Sequence, residues 1–396
     1  MKYYATMLNE KGVVAVDDTI LVKDAPSTAG SRMLEGFKPL FSAEAVKRLE
    51  EKGYLVAGKT HVGEFGLDLV GEFSYYNKAN ESEKLYGAAA QAVADNNVKY
   101  ALSVDMNGSA RRAAMLSGVS FLKPTYGTVS RYGVISCAAS GEQIGVCAKD
   151  CDGIAEIMSV IAGNDTKDGT SLKDTSYEYK TDADIKGAKV AIVKELLDKA
   201  SDDVKESVYA YAEELKDQGV TVEEISLDIF DTANTAWQIL MCAETCNNVS
   251  RYDGVKFGHR SDTYKNIDEL YVNSRTEGFN FLTKAVILYG SDVLSKNRYA
   301  DCYDKALRIR RVVADKIKEV LSTYDALLTP VCSKTEYVAY DIKDAFKKVY
   351  DESVFTCVPN LIGTPAISTN KVQLMGAHLT ESKLLSIAKL GERKGE

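Results

Sequence analysis

Apolar positions along this chain recur with two periods, and the switching between them predicts alternating strands and helices. Residues 12–22 (GVVAVDDTILV) are a β-branched apolar run that predicts a strand. Residues 42–53 (SAEAVKRLEEKG) carry helical spacing, with Ser42 expected as N-cap and Gly53 as stop. Residues 54–60 (YLVAGKT) follow as a short buried strand. Such a β–α–β unit favours parallel pairing beneath covering helices.

From Glu83 to Gly127 the pattern reads as a small-residue helix, a short apolar strand, a Gly-Ser turn, a second helix and a KPTYG loop. Small side chains at Gly87, Ala88, Ala89, Ala90, Ala92 and Ala94 permit close backbone packing. Residues 128–140 look extended, 150–163 form an amphipathic helix closed by Gly163, and 164–184 are a polar, turn-rich surface excursion. Alternation resumes with a strand in 186–195, a helix over 202–219 and a strand over 220–227. Helical spacing then dominates from Asp231 to Val320. Residues 325–331 predict a strand, and 359–368 a strand entry. Without repeats or a long linker, the pattern gives one α/β domain.

Composition narrows the class. The chain has 396 residues, 45% hydrophobic and 27% charged, enough to bury a large core. A net charge of −8 argues against a dominant nucleic-acid surface, so no direct nucleic-acid binding is expected. No run reaches the roughly 18 apolar residues of a membrane span, and the first residues lack the apolar core of a signal peptide. The expected location is cytoplasmic, away from membranes. The eight cysteines are scattered without paired CxxC motifs and read as reduced thiols. Cys242 and Cys246 could share an expected helix face with Glu244 between them and His259 beyond, but no second ligand pair accompanies them. No metal and no cofactor is expected.

One candidate for chemistry stands out. Asn107-Gly108-Ser109 puts a hydroxyl on a sharp turn that opens a helix, where a serine nucleophile would sit. A helix N-cap uses the same residue at the same place, so the motif alone leaves both readings open.

The segments GKTHVGEFG, FLKPTYGTVSRYGVIS, IAGNDTKDGTS, CNNVSRYDGVKFGHR, LYVNSRTEGF, DALLTPV and PNLIGTPAIS, in this order over nearly the whole chain, resemble the amidase signature family, in particular its tRNA-dependent amidotransferase A subunits. The resemblance implies a mixed, mostly parallel sheet wrapped by helices, in one domain over 1–396. Most of the family's helical N-terminal segment is then missing, and the loop before Val372 is shortened. Active members use a nucleophilic serine, a neutral lysine that acts through a second serine, and a glycine turn whose N–H groups hold the oxyanion.

Carried over residue by residue, the resemblance puts Ser109 at the nucleophile position and Arg111 at the following arginine. Met106, Asn107 and Gly108 form the oxyanion turn, with Asn107 replacing a glycine; asparagine tolerates positive φ, so the turn is expected to survive. Asp17 stands in place of the family lysine. Leu85 stands in place of the relay serine, with Tyr86 beside it, and Lys59 is the substitute base to consider. In the substrate pocket Val286 replaces an arginine, Ser353 an aspartate and Trp237 a tyrosine. Loss of the arginine alone removes a charge-assisted contact of about 1.5–3 kcal/mol.

These departures predict a catalytically impaired pseudoenzyme, a binding, scaffold or regulatory subunit that pairs with the B and C subunits of an amidotransferase or with another A subunit. The alternative is an active serine amidase that uses Ser109, with Asp17 or Lys59 as base, on an amide lacking glutamine's charged ends. A third arrangement keeps Ser109 as an N-cap and fills the former pocket with Leu85, Tyr86 and Trp237.

Overall fold

The computed structural model describes residues 2–77, 83–173 and 177–392. The chain begins with β1 (Tyr4–Met7) and β2 (Val14–Asp17), then α1 (Glu44–Glu51) and β3 (Val56–Thr60). The expected β–α–β unit is present, because β2 and β3 pair in parallel. The cap is a correction: Ala43 occupies the N-cap without a side-chain bond, and the Ser42 hydroxyl accepts instead from the Lys23 N–H at 3.0 Å.

Then follow α2 (Ala88–Ala94), β4 (Tyr100–Asp105), α3 (Ser109–Ser117), β5 (Ser120–Lys123) and β6 (Gln143–Ala148). The alanine face of α2 lets it lie close to α3: a Cβ added at Gly87 would fall 2.3 Å from that of Ala113. Residues 128–140 were expected to be extended, yet they form turns joined only by isolated bridges at Val129 and Val134. Their side chains explain this, since Ser130 and the Arg131 N–H bond to Asp165 and Asp168 and hold the backbone off any strand.

The second half contains α4 (Cys151–Ile161), β7 (Lys189–Val193), α5 (Lys194–Leu197), α6 (Asp202–Asp217) and β8 (Thr221–Ile225). The helical run follows as α7 (Phe230–Asn248), α8 (Ile267–Gly278), α9 (Phe281–Val293) and α10 (Lys305–Val320). The chain then passes through β9 (Ala326–Pro330), α11 (Ala345–Ser353), α12 (Cys357–Ile362), β10 (Ala366–Thr369), β11 (Val372–Met375) and α13 (Glu381–Leu390). Residues 357–362, expected at the entry to a strand, are helical. Pro359 sits in the first turn, where its missing N–H costs nothing, and Gly363 ends the helix at φ +79°. Asn370 and Lys371, both at positive φ, close a two-residue hairpin between β10 and β11.

The eleven strands of the described residues join one sheet in the order β1-β3-β2-β4-β6-β5-β10-β11-β9-β7-β8. Parallel pairs lie toward its flanks, β3–β2–β4 on one side and β9–β7–β8 on the other. From β4 to β9 every pairing is antiparallel. The sheet is therefore mixed, as expected, but parallel pairing does not predominate. Alternation along β2 sends Val14 and Val16 into the cluster under α1 and α4, and Ala15 into the small-residue cluster under α2 and α3. By the same period Asp17 shares the Ala15 face, so the end of β2 delivers a carboxylate toward α3.

Candidate active site

The turn between β4 and α3 is held from below. Asp105 ends β4 and accepts the Gly108 N–H at 3.1 Å. The Arg111 guanidinium grips the same carboxylate at two points, Nε to Oδ2 and Nη2 to Oδ1, both 2.9 Å, with both side chains 0% exposed. Burial pushes the Asp105 pKa up, but Arg111 outweighs it and holds the carboxyl at about 2, fully ionised. Gly108 has φ +86°, and a Cβ there would lie 2.3 Å from Cβ of Thr356, so only glycine fits. Asn107, expected to tolerate positive φ, is not asked to, because Gly108 supplies the left-handed residue.

Ser109 is the first residue of α3, and Gly108 holds the N-cap position. The N-cap reading of Ser109 is thereby corrected. Its hydroxyl is half-buried, has no protein partner among the described residues, and faces a cavity.

Asn107 engages both ends of its amide. Its Oδ1 accepts from the Trp237 indole N–H at 3.0 Å, and its Nδ2 donates to the Ser353 hydroxyl at 2.6 Å. Ser353 in turn donates to the Val349 carbonyl at 2.5 Å, and the Thr356 hydroxyl donates to the Asn107 carbonyl at 2.9 Å. Trp237 is 0% exposed and packs edge-on against Gly141, where a Cβ would meet its ring at 2.0 Å. Three positions that departed from the resemblance are thus one hydrogen-bonded chain.

Ser109 and Asp17 line one cavity of about 50 Å³, together with Thr19, His61, Asp68, Ser103 and Glu142. That volume admits a few water molecules and is too small for a glutamine. Its apolar walls include Val62, Phe65, Phe121 and Ile135; Leu85, Tyr86 and Trp237 do not line it, so the expected plug is not what narrows it. Asp17 accepts from the Ser103 hydroxyl (3.0 Å), the Thr60 hydroxyl (3.0 Å) and the Val104 N–H (3.1 Å). Burial raises its pKa to about 7, since these hydrogen bonds only partly offset the loss of water. Burial, with the neighbouring Glu72 adding to it, pushes Asp68 up as well.

A profile of the amidase family matches residues 12–384. This chain belongs to the amidase family. The A subunit of glutamyl-tRNA(Gln) amidotransferase from Agathobacter rectalis is 37% identical over 367 residues, 90% of this chain and 73% of its own length. Its namesake from Halothermothrix orenii is 35% identical over 395 residues, 95% of this chain and 83% of its own. In three dimensions, the crystal structure of the Thermotoga maritima A subunit superposes with a TM-score of 0.82 at 29% identity, covering 99% of this chain and 87% of that one.

Of the remaining candidates, Met106 lines the cavity, whereas Leu85, Lys59 and Val286 fall outside it. Leu85 is 6% exposed and packs with Val70, Ala89 and Ala113 in the small-residue cluster. Lys59 is buried behind the site, where its ammonium meets Asp18 Oδ1 at 3.0 Å, the Asp18 carbonyl at 3.2 Å and the Ser27 hydroxyl. Burial lowers its pKa while Asp18 opposes the shift, and no hydrogen bond joins it to Ser109. Val286 lies in the core cluster that contains Trp237. Glu244 bonds to Ser140 and His259 to Glu277, so the residues around Cys242 and Cys246 do not converge; no metal-binding group of three occurs among the described residues.

His61, like Asp68, Ser103 and Glu142, is a lining residue that pattern reasoning missed. It follows β3 directly, and Asp17 is in register with Thr60, so adjacent parallel strands deliver both side chains to one end of the sheet. The β–α–β unit was the available signal. Burial lowers the His61 pKa, keeping the ring neutral.

Proposed function

We propose that this chain is an amidase-fold protein that has lost the family's hydrolysis and acts as a binding, scaffold or regulatory subunit. The observation that supports it best is the chain Trp237–Asn107–Ser353. Positions that would face a substrate are spent on one another, since the Asn107 amide bonds to Trp237 and Ser353. Asp17 reinforces the reading, since its three hydrogen bonds occupy it within the protein, and Leu85 offers no hydroxyl to relay a proton. The relatives are named as subunits of an amidotransferase. The natural partners are accordingly the B and C subunits of that assembly, or an active A subunit. The test is ammonia release from glutamine, asparagine and a panel of neutral primary amides. The expected rate equals that of Ser109→Ala, and a rate that the substitution abolishes would overturn the proposal.

A second reading rests on one observation: the Ser109 hydroxyl has no partner among the described residues and shares its cavity with Asp17, whose pKa of about 7 suits a general base. On this reading the chain is a serine amidase for a small amide without charged ends. The same panel separates the two.

A further inference from the structure

We propose that the Ser109 cavity holds a small ammonium-type cation, either ammonium itself or a protonated primary amine with a short alkyl group. The binding-subunit reading leaves the ligand of the former active site open, and this assignment rests on that reading.

Size sets the first limit. A water-sized group needs roughly 10–15 Å³ of cavity, so a volume of about 50 Å³ takes at most about four heavy atoms. The apolar wall formed by Val62, Phe65, Phe121 and Ile135 suits a methyl or ethyl group on the nitrogen.

Charge sets the second. Among the described residues no lysine or arginine lines the cavity. Of the carboxyl groups in its wall, Glu142 is met by Arg131 at 3.0 Å. Asp17 and Asp68 have no lysine or arginine nitrogen within 4.0 Å among the described residues. The Lys59 ammonium behind the site pairs with Asp18 at 3.0 Å and acts on Asp17 only from a distance. Burial raises Asp17 to about 7 and lifts Asp68 as well, as expected of carboxyls without a bonded cation. A cation in the cavity supplies the missing charge.

Hydrogen bonding sets the third. The Ser109 hydroxyl and the His61 ring are half-buried and have no side-chain partner among the described residues. Burial keeps His61 neutral, so one ring nitrogen accepts. Asp17 Oδ2 takes the Val104 N–H at 3.1 Å and retains a free lone pair, while the Ser103 hydroxyl is already given to Asp17 Oδ1 at 3.0 Å. An ammonium group has several N–H donors and no acceptor, the complement of this lining. Potassium has the charge without the donors, and urea and formamide have the donors without the charge.

The test follows the His61 C2 proton by NMR in the whole protein at about pH 8, where a simple amine is still protonated and Asp17 is mostly ionised. The chain has three histidines, and His61→Gln assigns the resonance. Methylammonium chloride replaces tetramethylammonium chloride, a cation too bulky for the cavity, at constant ionic strength. The His61 resonance is expected to shift and saturate, with half-saturation on the order of 10 mM for so small a ligand. Asp17→Asn is expected to weaken binding about fivefold or more, with the His259 and His378 resonances unmoved as the sign of an intact fold. Ser109→Ala, which breaks no hydrogen bond within the protein, is expected to weaken it about threefold. An unsaturated response, an equal response to potassium chloride, urea or formamide, or an affinity unchanged in both variants overturns the site. Ammonia release from the amide panel tests the underlying reading, whereas this titration involves no turnover, so each fails or stands separately.

Discussion

Trp237 and Asn107 lie 130 residues apart in the chain, and the indole N–H of one donates to the amide oxygen of the other at 3.0 Å. Both are buried, so neither group has water to fall back on. Trp237→Phe leaves the Asn107 oxygen unsatisfied, and Asn107→Gly strands the indole N–H and frees Ser353. Each is expected to destabilise the fold by about 1–3 kcal/mol in urea titration, with the glycine variant the worse because of its added backbone entropy. Stability unchanged in both variants would show that the chain of bonds holds nothing.

Asp105→Asn removes one partner of a fully buried ion pair and leaves the Arg111 charge uncompensated. The expected loss is about 3–5 kcal/mol, read as a lowered denaturation midpoint. Because Asp105 also accepts the Gly108 N–H, the variant should show faster amide exchange at Gly108 than an equally destabilised variant elsewhere.

The part of the stability that Asp17 contributes should fall as pH rises from acid toward neutrality. The ordinary aspartate value is 3.8, and burial lifts Asp17 to about 7 in the folded chain. The folded state therefore holds this proton more tightly. Its contribution is complete below 3.8, declines as pH climbs through 7, and is absent above that. Glu64, also raised by burial to about 7, acts with the same sign. Asp17→Asn should narrow the gap in unfolding free energy between about pH 5 and about pH 8 by an amount on the order of 1 kcal/mol or more. A gap of the same width in the variant would place the shift elsewhere.

Returning Val286 to the arginine implied by the family resemblance tests whether the pocket is still open to charge. Val286 packs in the apolar cluster that contains Trp237. Val286→Arg should cost about 3 kcal/mol or more and yield poorly soluble protein. A stable variant that gains glutamine binding would mean the pocket remains a pocket.

Much of the frame was legible in the sequence because it obeys local rules. The β-branched run of residues 12–22, of which only Val14–Asp17 form the strand, the small residues of α2 and the glycine at 108 each specify their own geometry. Where prediction failed, the cause was non-local. Strand β6 lies between β4 and β5, with all of its residues buried, so it shows no alternation to read. Residues 128–140 have strand-like composition, but side-chain bonds to Asp165 and Asp168 take their backbone elsewhere. The turn at Asn107–Ser109 was legible in its motif, whereas its attachment to Trp237 and Ser353 depends on contacts that no spacing announces. Lys59 looked available as a base until its ion pair with Asp18 was seen.

The central claim is that Ser109 sits in the frame of an active site without the means to be activated. The most direct measurement is covalent labelling by a small fluorophosphonate, followed by mass spectrometry of the peptide that contains Ser109. A serine activated by a neighbouring base reacts whatever its natural substrate, so the probe does not depend on guessing the amide. The account predicts no adduct at Ser109 in the native protein. A stoichiometric adduct at Ser109 that disappears in Asp17→Asn would contradict it and establish a working serine hydrolase.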